Sequence, residues 1–208
     1  MAFAGERHRV YSVSPVVAMT QKWVKELPQR TGRSLEEWIA LTKKSGPPAE
    51  KERRAWLKEK HKLGTIYAAE IAERAEGKGV EFDSSDAYLK AAAGWAEAQY
   101  SGARAALRPV YDELLKVGLA VGKEARACPC KTMVPLYRNH VFAQIKASTN
   151  TRIDLGLAVG DLKTPKRLID TGGFAKKDRI TRRIEIRSKA DLDDEVRKWL
   201  TKAYEIDK

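Results

Sequence analysis

The chain has 208 residues, 43% hydrophobic and 33% charged with 14 Gly and 8 Pro, which excludes a disordered or fibrous protein and suits one large or two small packed domains. The formal charge of +12 points to anionic partners. The longest uncharged stretch, Val10 to Gln21, is broken by Ser12, Ser14, Pro15 and Thr20 and is too short to cross a bilayer; Met1 to Arg9 lacks the apolar run of a secretory signal. A cytoplasmic protein with no membrane partner is expected.

Ser14-Pro15 reads as a helix start, followed by Val16, Met19, Trp23, Val24 and Leu27 at helical spacing, with an end near Pro28. Ser34-Leu35-Glu36-Glu37 is a capping box that opens a second helix, which stops before Gly46-Pro47-Pro48. A third helix is expected from Ala49 to His61, burying Trp56 and Leu57. A fourth is capped by Thr65 and runs through Ala75, with Tyr67 and Ile71 on its apolar face. The short link Lys62-Leu63-Gly64 has the length of a helix-turn-helix connection, but Glu70, Glu73 and Glu76 would meet phosphates in a DNA groove. A protein-binding face on these N-terminal helices is the alternative.

Beyond Gly77 and Gly79, an alanine-rich helix is expected from Asp86 to Tyr100 and another from Pro109, with Val110, Leu114, Leu115 and Leu119 apolar. From Ala125 the period shortens to that of strands: Ala125 to Lys131, Met133 to Arg138, Val141 to Ala147, Arg152 to Ala158 and Arg179 to Arg187. Asp191 then offers a cap for a last helix carrying Leu192, Val196, Trp199, Leu200 and Ala203. The expected fold is α+β: an all-helical bundle over residues 11–78, then a mostly antiparallel five-stranded sheet packed with helices over residues 84–208.

The charge is unevenly placed. Residues 123–189 hold 16 Lys and Arg against 6 Asp and Glu, whereas 190–208 hold 4 against 6. Lys163, Lys166, Arg167, Lys176, Lys177, Arg179, Arg183 and Arg187 are the candidate anion or nucleic-acid contacts, since clustered cations bind phosphate through counterion release. Strand alternation sets Arg152, Asp154 and Gly156 opposite Ile153, Leu155 and Leu157, and Phe142, Gln144 and Lys146 opposite Val141, Ala143 and Ile145. Arg182 falls among Ile180, Ile184 and Ile186, so its guanidinium must reach an edge, a carboxylate such as Asp154, or a ligand, unless a bulge near Arg182-Arg183 turns it outward. Phe142, Gln144, Lys146, Arg152, Asp154 and Arg182 are therefore the candidate pocket for a small ligand.

Cys128-Pro129-Cys130 reads as two thiols in a strand, and His8, His61 and His140 have no zinc-type spacing to them, so neither a structural metal nor a cofactor is expected. No nucleophile–base pair, P-loop or dinucleotide loop is recognisable. These residues favour binding over catalysis and leave an enzyme of unknown reaction as an alternative.

Thr31-Gly32-Arg33-Ser34-Leu35-Glu36-Glu37-Trp38, Trp56-Leu57-Lys58, Leu63-Gly64 and Tyr67-Ala68 resemble one bacterial family of domains of unknown function. Arg108-Pro109-Val110-Tyr111, Phe142-Ala143-Gln144-Ile145, Arg152-Ile153-Asp154-Leu155-Gly156-Leu157 and Ala203-Tyr204 resemble a second, loosely labelled predicted transport protein and similar to domains appended to nucleases. The second is also distantly similar to small α+β domains assigned to iron chaperoning. The resemblance covers nearly all of the chain after residue 10 and implies two domains without naming a chemistry. Gly172-Gly173-Phe174-Ala175 departs from the loop of the second family, which has an aromatic residue and a further glycine after its first glycine.

Overall fold

The structure, a computed structural model, describes residues 10–208. The readings made on Met1 to Arg9 and His8 lie outside the described residues. Two compact units divide the chain, Val13–Tyr88 and Leu89–Lys208, and residues 10–12 group with the second.

The first unit contains α1 (Pro15–Thr31), α2 (Leu35–Ser45), α3 (Glu50–His61) and α4 (Thr65–Ala75). Ser14 caps α1 as expected, but the helix runs past Pro28 to Thr31 and stops at Gly32. Gly32 adopts φ 77°, and its amide donates to the Pro28 carbonyl, so the left-handed glycine rather than the proline sets the end. Both arms of the Ser34/Glu37 capping box form, at 2.7 and 3.2 Å. Thr65 does not cap α4: it is the first helical residue, with Gly64 at the cap position and no side-chain bond. Leu27, Leu35, Trp38, Leu57, Ala68 and Ile71 form the core, with Trp23, Trp56 and Tyr67 half-buried around it. This unit extends beyond residue 78 because Arg74, nearly buried, pairs with Asp83 at 2.5 Å, and Phe82 packs on buried Tyr88.

The second unit takes in most of α5 (Ser85–Gln99), then α6 (Arg108–Leu119), six strands and α7 (Asp194–Ile206). Residues 11 and 12 belong here: Tyr11 bridges to Ala127, its hydroxyl lies 2.9 Å from that of Tyr111, and the Ser12 amide donates to Ala127. The strands are β1 (Arg126–Ala127), β2 (Val134–Tyr137), β3 (Val141–Ala147), β4 (Ile153–Leu157), β5 (Ile169–Asp170) and β6 (Arg182–Ile186). They form one antiparallel sheet in the order β1-β2-β3-β4-β6-β5. The fold is thus α+β as expected, but the sheet has six strands instead of five. Two-residue β5 pairs with Arg182 and Arg183 from inside the basic loop and is too short to register as alternation. β1 is shorter than expected, and Cys128 and Cys130 lie beyond it, tied by their amides to Pro135 and Met133. Neither thiol is in a disulfide, and burial pushes that of Cys128 up to about 11.

One sheet face carries Val134, Leu136, Ile145, Ile153, Leu155, Leu157, Ile184 and Ile186 into a core completed by Leu114 of α6 and Val196, Leu200 and Tyr204 of α7. Burying each large apolar side chain contributes roughly 1.5–3 kcal/mol, enough to hold α7 flat on the sheet by one stripe. Asp193, rather than Asp191, caps α7 by accepting from the Val196 amide; Asp191 accepts from the amides of Arg187 and Ser188 one turn earlier.

Two side chains break the expected alternation. The β2–β3 register slips between Leu136 and Tyr137, so Leu136 faces Ala143 but Tyr137 faces Val141. Phe142 is the extra residue of this bulge and turns inward, fully buried, with its ring edge-on to Tyr204 at 5.4 Å. Ile180 precedes β6 and crosses to the outer face: a Cβ on Gly156 would lie 2.7 Å from it and 2.8 Å from Gln144.

Candidate nucleic-acid interface

The outer face of the sheet has no apolar stripe, and its charges bond to one another. Arg152 Nε is 2.9 Å from Asp154 and its Nη1 3.0 Å from Glu185, while Arg183 lies 3.1 Å from Asp154 and 2.9 Å from Glu185. Arg187 completes the network at 3.1 Å from Glu185. Arg183, with Arg152 and Arg187, holds the Glu185 carboxyl below the ordinary carboxylate value.

The proposed small-ligand pocket is only partly assembled. Gln144, Lys146, Arg152 and Asp154 share the outer face, Phe142 is in the core, and Arg182 stands at the edge of the inner face opposite Leu157. The partner of Arg182 is Asp170, at 3.1 Å, and not Asp154; Thr164 Oγ1 and the Thr181 carbonyl take its other donors. A hollow of about 440 Å³ lined by Val141, Gln144, Thr171, Asp178, Arg179 and Ile180 lies past the end of the network.

Arg167 and Arg179 are paired as well. Arg167 reaches Asp193 at 2.5 Å and Glu195 at 3.2 Å, and also donates to the Asp191 carbonyl. Arg179 binds buried Asp207, which also accepts from the His140 amide at 2.8 Å and lies 3.0 Å from the His140 ring. Burial alone would raise the Asp207 carboxyl, but the hydrogen bonds from His140 and the Arg179 charge together hold it below its ordinary value.

The lysines differ. Among the described residues, no carboxylate pairs with Lys163, Lys166, Lys176 or Lys177, nor with Lys198 or Lys202 of α7. Lys176 and Lys177 are exposed in the loop that also exposes Phe174. Lys163 stands with Lys198 and Lys202 around a hollow of about 710 Å³ that Leu162, Trp199, Thr201 and Glu205 complete. Trp199 is half-buried, packed against the core and lining the hollow. Lys202 and Glu205 also line an adjoining hollow of about 450 Å³ with Arg138, Ile206 and Lys208. Arg138 lies over the Tyr204 ring at 4.6 Å and pairs with Glu124 at 2.9 Å.

Of this groove, sequence reasoning found Lys163 and missed Lys198, Trp199 and Lys202. Residues 190–208 are net acidic, yet Asp193 and Glu195 bind Arg167 and Asp207 binds Arg179, leaving the lysines unmatched. The available signal was Lys198-Trp199 followed by Lys202, two cations one turn apart beside an aromatic residue.

In the helical unit, Met19 and Ile66 are 67% and 72% exposed at a hollow of about 220 Å³ that also touches Trp23 and Glu70. No helix among the described residues is long and apolar enough to cross a membrane, and no group of three or more potential ligands among them could hold a metal ion.

Residues 96–207 match the family described as Domain of unknown function (DUF5655), and residues 19–77 match that described as Domain of unknown function (DUF4287). No curated protein and no solved structure matches the chain.

Proposed function

The chain belongs to the DUF5655 family, and we propose that it is a non-catalytic binding protein for phosphate-bearing polyanions, which it takes along the α7 groove. The observation that carries this reading is the set of unpaired lysines, Lys163, Lys198 and Lys202, around the larger hollow. A cation held by a carboxylate has little left to offer a phosphate, whereas a free ammonium releases its counterions on binding. Lys166, Lys176 and Lys177 add long-range attraction from neighbouring loops.

The test is the affinity of the full chain for a fluorescent polyanion as a function of salt. Binding that fades steeply with salt is expected, and absence of binding at low salt overturns the reading. A second reading, a small polar ligand between β3 and the 171–181 loop, is favoured by the hollow at Gln144 and Arg179. Saturable stabilisation by a small anion, retained after charge reversal of the α7 lysines and lost in Gln144→Leu, would replace the first reading with the second.

A further inference from the structure

We infer that the polyanion is single-stranded nucleic acid, with an unpaired base stacked on Trp199 and the backbone carried by Lys163, Lys198, Lys202 and Lys208. This rests on the α7 groove being a polyanion site and adds the class of ligand.

Charge alone does not account for the lining. The groove exposes apolar surface among its cations: Leu162 is 37% and Ile206 46% exposed, and Trp199 forms part of the wall. An inorganic polyphosphate has no apolar face to lay on an indole, but a nucleobase has one, and stacking on an aromatic side chain contributes about 1–3 kcal/mol per base. Leu162 comes from the 159–168 loop and Trp199 from α7, so two separate segments supply the apolar lining.

The shape is that of a track. The two hollows adjoin at Lys202 and Glu205, and together they set four lysines, Lys163, Lys198, Lys202 and Lys208, against the carboxylate of Glu205, while Arg138 is already held by Glu124. Lys198 and Lys202 are one turn apart, about 6 Å along the helix axis, close enough to meet successive phosphates of an extended strand. A duplex fits this arrangement poorly. Its bases are stacked inside, and bringing one to Trp199 costs a few kcal/mol of unstacking. Nor can α7 enter a major groove, because Val196, Leu200, Ala203 and Tyr204 hold it flat on the sheet.

The full chain is titrated, at low salt, into fluorescein-labelled DNA of about 12 nucleotides, single-stranded or as the duplex, with inorganic polyphosphate as competitor. The single strand is expected to bind about tenfold more tightly than the duplex. Trp199→Leu should lower single-strand affinity about tenfold, with polyphosphate competition against the duplex unchanged, and Trp199→Tyr should restore it. Equal binding of strand and duplex with no effect of Trp199→Leu leaves a polyanion site and overturns the single-strand assignment. Failure of every probe to bind overturns the polyanion reading as well. Should Trp199→Leu unfold the chain, the unmutated protein decides: 5-iodouracil placed in the strand should cross-link to Trp199 on irradiation, and adducts found only elsewhere overturn the inference.

Discussion

The outer sheet face and the α7 groove are both built from basic sequence, and they use it in opposite ways. On the sheet face, Arg152, Arg183 and Arg187 are bound to Asp154 and Glu185, so the guanidiniums fix strands to one another. In the groove, Lys163, Lys198 and Lys202 have no such partners and surround an open hollow. A planar fork of donors suits a carboxylate at fixed geometry, while an ammonium on a flexible stem remains hydrated and free to exchange counterions. Local net charge is therefore a poor guide to available charge: the arginines within the basic stretch 163–189 are paired, and the acidic C-terminal segment supplies two of the free lysines.

The largest expected effect follows from reversing the groove charges. Lys163→Glu, Lys198→Glu and Lys202→Glu together should reduce polyanion affinity at least about 100-fold at low salt and flatten the salt dependence by about three counterions. Arg183→Met should do the converse, changing affinity less than about twofold while removing about 1–2 kcal/mol of stability, because Asp154 and Glu185 lose a shared partner. Urea unfolding and binding titrations on the same samples separate the two outcomes. A large affinity loss in Arg183→Met would break the comparison and return the sheet face to candidacy.

Arg182→Met tests the edge of the inner face. It keeps the aliphatic bulk and strands exposed Asp170 rather than a buried acid, so a loss of about 1 kcal/mol with binding unchanged is expected. Lost binding at unchanged stability would assign Arg182 a ligand.

The smallest effect concerns pH. Glu185 and Asp207 have carboxyls depressed below their ordinary values of 4.5 and 3.8. The unfolded chain therefore takes up protons first, and their stabilisation is full above those values and lost as pH falls through the folded ones. Amide exchange of β4 and β6 should thus be protected equally between about pH 5 and pH 8 once corrected for intrinsic rate, and should accelerate only in more acidic solution. Acceleration already near pH 6 would mean that Glu185 does not hold the network.

Much of the fold was legible because it is local. The Ser34/Glu37 capping box, the starts at Ser14-Pro15 and Pro109, and the alternation of Ile153, Leu155 and Leu157 are each set by neighbours a few residues apart, so periodicity and capping chemistry suffice to place them. That Arg182 must reach an edge, a carboxylate or a ligand was equally legible from its place in the alternation; which carboxylate it met depended on β5, a two-residue strand paired with β6. The bulge at Phe142, the crossing of Ile180 over Gly156 and the groove itself were decided by tertiary structure. Bulges answer to register with a neighbouring strand, and a concavity forms only where Leu162 and Lys163, more than thirty positions before Lys198 in the chain, come beside α7. The sequence by itself determined how many cations there are and which are arginine; long-range pairing decided which remain free, because a carboxylate neutralises whatever the fold sets within hydrogen-bond reach.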